Sequence, residues 1–161
     1  MHRTFVFLLL VSGCGQASSG TGGGGGQSEI VGSWLSDGAD VAPLLNGAPF
    51  NYTKITADFK ADGSYVVTGL DKSNKLTTFV GTYEDGPSEV TGIQAITVHQ
   101  DSPATTLAVG IYTVSDTTMQ YEVVQTQPTN GITPPTATGG FGSTVYNGMK
   151  ISTLIQKFAK Q

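Results

Sequence analysis

The sequence is poor in the residues from which most reactive centres are built. It holds one cysteine, Cys14, so an intramolecular disulfide is impossible and thiolate metal clusters cannot be assembled. Histidine occurs only at positions 2 and 99, too few for a multi-histidine metal site. Charged residues are 12 % of the chain, and beyond Arg3 there is no arginine. Seven lysines then face twelve carboxylates, a net charge of −5 that offers neither the clustered basic surface nucleic acid needs nor attraction to anionic headgroups. Nucleic acid is therefore not expected as a partner, and no metal or cofactor is expected.

Long apolar runs are also lacking, with one short exception. Met1, His2 and Arg3 form a small basic start, and Thr4 to Val11 is nearly unbroken apolar sequence. That order matches the n-region and h-region of a signal peptide, and the run is far short of the ~20 residues a membrane-spanning helix needs. Val11-Ser12-Gly13-Cys14 follows and resembles the bacterial lipobox, in which the cysteine is lipidated and becomes the new N-terminus. The resemblance implies a signal peptide over 1–13, lipidation at Cys14 and a membrane as partner through the lipid anchor. Only thirteen residues precede Cys14, fewer than the usual ~15 or more. Gly15 stands where an aspartate commonly retains such proteins at the inner membrane, so in a two-membrane cell the resemblance favours the outer one.

Residues 14–28 form the tether. From Gly15 to Ser28 no apolar side chain exceeds Ala17, and Gly22 to Gly26 is unbroken glycine. Such a segment buries too little to offset its ordering entropy and is expected to behave as a coil spanning about 20 Å. It is not a phosphate loop, which needs a preceding strand and a Lys-Ser or Lys-Thr ending.

Residues 29–161 read as one all-β domain, an antiparallel up-and-down meander of about eight strands separated by turn residues. Strands are expected over Ile30–Ser36, Thr53–Lys60, Ser64–Leu70, Leu76–Tyr83, Gly92–Gln100, Thr105–Val114 and Thr118–Thr126. Ala61-Asp62-Gly63 and Glu84-Asp85-Gly86-Pro87 read as turns. Gln127 to Gly142, rich in proline and glycine, reads as neither strand nor helix, and its length suggests a lid or a contact loop. The last segment is ambiguous, because Ile151, Leu154, Ile155 and Phe158 fit helical spacing while Leu154, Gln156 and Phe158 alternate as in a strand.

Gly32-Ser33-Trp34, the hairpin Phe59 to Tyr65, Gly81-Thr82-Tyr83 and a hairpin around Asp116 resemble the lipocalin-like domains of bacterial lipoproteins. In that family the glycine-x-tryptophan motif lays its indole across the closed end of an eight-stranded barrel, beneath an arginine of the last strand. Trp34 matches the indole; the arginine is missing, and Lys157 or Lys160 replaces it only in part, lacking the planar guanidinium face. Barrel closure removes both sheet edges, which favours Ser152–Ala159 as a strand pairing with the first.

Catalytic chemistry is sparse. A serine nucleophile would need His99 as base, with Asp101 its nearest carboxylate in sequence, and Gly140-Phe141-Gly142-Ser143 has its serine misplaced for a nucleophile elbow. Asp58, Asp62, Asp71 and Asp85 lack the spacing of a calcium loop and read as solvated turn residues. An enzyme is not expected, although two close acids in a cavity would point to a hydrolase or isomerase. The expected function is a membrane-anchored binding module whose barrel takes a small apolar ligand, with Trp34, Phe59, Tyr65, Phe79, Tyr112 and Tyr121 as candidate interior residues. The alternative is a side-chain-filled barrel that contacts another envelope protein through its loops.

Overall fold

The structure is a computed structural model and describes residues 28–161. The expected signal peptide over 1–13, the expected lipidation site Cys14 and all of the expected tether but Ser28 lie outside the described residues. Eight strands form a closed antiparallel barrel, with β1 (Gly32–Asp37), β2 (Tyr52–Phe59), β3 (Ser64–Asp71), β4 (Leu76–Pro87), β5 (Gln94–Ser102), β6 (Thr106–Ser115) and β7 (Thr118–Gln127) as successive neighbours. Three two-residue strands follow, β8 (Ile132–Thr133), β9 (Val145–Tyr146) and β10 (Met149–Lys150), and pair into a small separate sheet. The eighth barrel strand, β11 (Gln156–Lys160), fills the seam between β7 and β1, with Trp34 opposite Lys160 and Phe158 opposite Met119. No helix of the described residues is long and apolar enough to cross a membrane.

Alternation decides which side chains enter the core. Ile55, Ala57 and Phe59 face inward from β2, Ile96 and Val98 from β5, and Met119 from β7, each buried in one continuous cluster. Three bulges interrupt the ladders, where Thr53, Asp101 and Thr126 are the extra residues, all in the strand halves nearest the open end. Gly110 shows how sharply the wall turns, since a Cβ there would lie 2.0 Å from the Glu122 carbonyl oxygen.

Several expectations need correction. Glu84 to Pro87 is no turn: it continues β4 and pairs with β5, and the reversal comes after it, where the Ser88 hydroxyl bonds the Ile93 carbonyl at 2.7 Å. β5 likewise runs past its expected end at Gln100, through Asp101 and Ser102. The last strand begins at Gln156, not Ser152, because Ile151 to Ile155 carry the chain over the rim, where the Thr153 carbonyl accepts the Leu44 N–H at 2.9 Å. Within Gln127 to Gly142, Gln127 belongs to β7 and Ile132–Thr133 is a short strand.

The long segment after β7 packs on the outer wall of the barrel. Its clasp is Glu122, which points outward from β7 yet is fully buried. One carboxylate oxygen accepts the Gly142 N–H at 2.6 Å and the other accepts the hydroxyl of Thr144, itself fully buried. A carboxylate under a loop is stable only when its lone pairs are matched in this way.

Candidate functional site

The barrel has one plugged end and one open end. At the plugged end Ser28 to Val31 cross the opening, and buried Ile30 accepts the Trp34 Nε1–H through its carbonyl at 2.7 Å. The Asp85 carboxylate accepts hydrogen bonds from both Tyr112 and Ser28, joining the crossing segment to the far wall. The Lys160 ammonium lies 5.5 Å from the centre of the Trp34 ring, so Lys160 and not Lys157 takes the position over the indole. Gly32 makes room for it, because its φ of +141° suits glycine and a Cβ would come within 3.3 Å of Lys160 Cε.

Above this plug the barrel is hollow. A cavity of about 320 Å³ opens between the links β1–β2 and β10–β11, at the small end of the ~300–1,000 Å³ range of ligand pockets. Its deeper walls are Phe59, Tyr65, Phe79, Tyr121 and Phe158, and its rim carries Leu45, Phe50, Tyr52 and Leu154. Phe59 organises the floor: Tyr83 meets it edge-on at 5.1 Å, and Tyr65 and Tyr121 lie at 6.1 and 6.3 Å. The hollow exists because inward positions on three strands are small, Ala57, Gly69 and Ala108. At Gly69 a Cβ would sit 2.7 Å from the Tyr52 ring, so the missing side chain is what lets that ring lie flat on the wall.

Polar groups around the rim are tied to the protein. Gln100 and Gln125 donate to the carbonyls of Ala104 and Pro128 at 2.8 and 3.0 Å. Gln156 accepts the Ala42 N–H at 2.8 Å and donates to Ser36, fixing the β1–β2 link over the barrel. No charged side chain lines the cavity.

Of the six interior candidates, Phe59, Tyr65, Phe79 and Tyr121 line this cavity. Trp34 and Tyr112 do not: both point inward, but each is consumed by the plug. Asp85 is not a solvated turn residue, since it faces Tyr112 from within β4, and Asp58 lies on the outer face of β2, where it accepts from Ser33. Asp62 and Asp71 do cap turns, accepting from the hydroxyls of Ser64 and Ser73, each at 2.6 Å, and from the N–H groups of the same serines at 2.9 and 2.8 Å; these bonds, the hydroxyls first, hold both carboxyls below the usual range. His99 is exposed on β5, and no group of three metal-ligating side chains occurs among the described residues. Sequence alternation missed Tyr52, because the bulge at Thr53 flips the parity counted back from Phe59.

No family model, curated protein or solved structure matches the chain.

Proposed function

We propose that the protein is a lipid-anchored envelope binding module of lipocalin type, whose barrel takes one small, predominantly apolar molecule. The observation that carries this reading is the aromatic-walled hollow of about 320 Å³ in a barrel sealed at its other end. An eight-stranded barrel has room either for its own side chains or for one small ligand, and this one leaves the space unfilled. The glycine-x-tryptophan plug with Lys160 above it supports the lipocalin likeness.

Lipidation at Cys14 adds an orientation. The chain enters the barrel through the plug, so an anchor upstream of Ser28 attaches at the sealed end and leaves the mouth unobstructed by the tether. The test has two parts. Intact mass of the protein extracted from its native membrane should show an acylated N-terminal Cys14, and calorimetric titration with small aromatic and aliphatic molecules should show saturable binding. An unmodified thiol removes the anchor from the proposal, and the absence of binding across the panel removes the carrier role.

A second reading, contact with an envelope protein, is favoured by Tyr146 and Met149, which stand exposed on the small outer sheet. Tyr146→Ser with Met149→Ser should abolish crosslinked capture of a partner without loosening the clasp at Glu122.

A further inference from the structure

We infer that the cavity selects a neutral apolar molecule carrying a carbonyl-type hydrogen-bond acceptor, which the hydroxyls of Tyr65 and Tyr121 hold at its floor. The inference rests on the reading of the hollow as a ligand site and adds the chemical class of the ligand. Among the described residues every side-chain polar atom sealed from solvent has a hydrogen-bond partner. Tyr83 donates to the Lys60 carbonyl at 2.8 Å and Tyr112 donates to Asp85, so those phenols are occupied. Tyr65 and Tyr121 have no such partner within the protein, and both line the cavity. Their hydroxyls therefore open onto the hollow. Tyr65 is otherwise only 5 % exposed, so its polar atom is held inside the barrel with nothing of the protein's own to bond. A hydroxyl that faces the hollow without a protein partner is free to donate to an acceptor bound there. Tyr52 is different, because it lies at the rim, stacked at 6.0 Å on exposed Phe50.

Both phenol rings lie beside Phe59, at 6.1 and 6.3 Å between centroids, so both belong to the same part of the cavity wall. They are donors at neutral pH: burial and the nearby Asp101 push Tyr65 up to about 12, and burial pushes Tyr121 up as well. A neutral acceptor suits them better than a carboxylate. The lining holds no lysine to balance an anion, and the Asp101 charge that disfavours tyrosinate at Tyr65 also disfavours any anion beside it.

Three probes of nearly equal shape separate the possibilities: acetylnaphthalene, isopropylnaphthalene and naphthoate, substituted at the same ring position and titrated into the full chain by calorimetry. The ketone should bind about fivefold or more tighter than the hydrocarbon, and naphthoate weakest of the three. Tyr65→Phe and Tyr121→Phe should each remove most of the ketone's advantage while leaving the hydrocarbon's Kd within about twofold, which also reports that the cavity has kept its shape. Equal affinity for ketone and hydrocarbon, an advantage that survives in the double variant, or tightest binding of naphthoate would overturn the inference while leaving the apolar-carrier reading in place. If none of the three binds, both fall.

Discussion

The clasp at Glu122 makes a quantitative claim about how the long segment after β7 is held. Glu122→Leu keeps a side chain of comparable bulk against Ile111 and Val124 but removes both acceptors. The Gly142 N–H and the Thr144 hydroxyl then lie against a buried apolar group. Each orphaned donor costs about 1–3 kcal/mol; the hydroxyl can rotate toward a carbonyl and the amide cannot, so about 3 kcal/mol is expected in total. For a body of this size that corresponds to a fall in Tm of about 10 °C. Thr144→Val removes one donor and leaves one carboxylate oxygen unmatched, for about 1–2 kcal/mol. The double variant matches apolar to apolar, so its loss should be smaller than the sum of the singles by about 1 kcal/mol. Circular dichroism melts supply the stabilities, and limited proteolysis between residues 128 and 155 reports whether the segment has lifted. If Glu122→Leu moves Tm by less than about 2 °C and cleavage is unchanged, the carboxylate does not hold the segment and the account of the outer wall is wrong.

Three further outcomes follow from the geometry. Lys160→Ala removes the cation above Trp34 and should cost about 0.5–1 kcal/mol in denaturant unfolding, with a shift in Trp34 emission; Lys157→Ala, on the outer face, should do neither. Gly110→Ala drives a Cβ to 2.0 Å from the Glu122 carbonyl oxygen, contact with backbone that cannot swing aside, and should lower stability by about 3 kcal/mol or prevent folding, as read by soluble yield and melting. In strong alkali, Tyr65, Tyr83, Tyr112 and Tyr121 stay protonated in the fold above the pH at which they ionise when unfolded. The native state then binds more protons than the unfolded one, so stability is fully present below pH ~10 and falls as pH rises beyond it, by up to about 1.4 kcal/mol per unit per retained proton; phenolate absorbance should appear together with unfolding and not before it.

Strand order was legible because it depends on local signals. Period-two alternation with short polar links leaves only antiparallel neighbours, and the loss of two exposed edges on closure explains why Gln156–Lys160 joins β1 despite its helical spacing. The misplaced boundaries at 84–87 and 101–102 share a cause, since turn-forming composition does not fix backbone geometry where strand pairing and side-chain bonding decide. The Asp-Gly-Pro signal at 85–87 looks like a turn, yet Asp85 is inside the barrel bonding Tyr112, and Pro87 needs no N–H at the strand end. Gln127 to Gly142 reads in the sequence as a lid or contact loop, whereas a single buried glutamate of β7 ties Gly142 and Thr144 to the wall, and no local pattern marks which glutamate that is.

The cavity itself was the least legible feature, for a reason that is volumetric and not local. Whether an eight-stranded barrel is hollow depends on the total size of its inward side chains. That set is known only once each strand's parity is known, and the bulges at Thr53, Asp101 and Thr126 shift parity near the open end. With the parity established, the three small inward residues Ala57, Gly69 and Ala108 account for the space, and the large ones divide by depth. Trp34, Tyr112 and Met119 lie toward the plug, while Phe59, Tyr65 and Tyr121 bound the hollow. The same division separates the phenols chemically. Those nearest the plug are bonded to Asp85 or to the Lys60 carbonyl and hold the fold, whereas the two in the deeper wall of the hollow have no partner within the protein, and for that reason the proposed ligand is assigned its acceptor there.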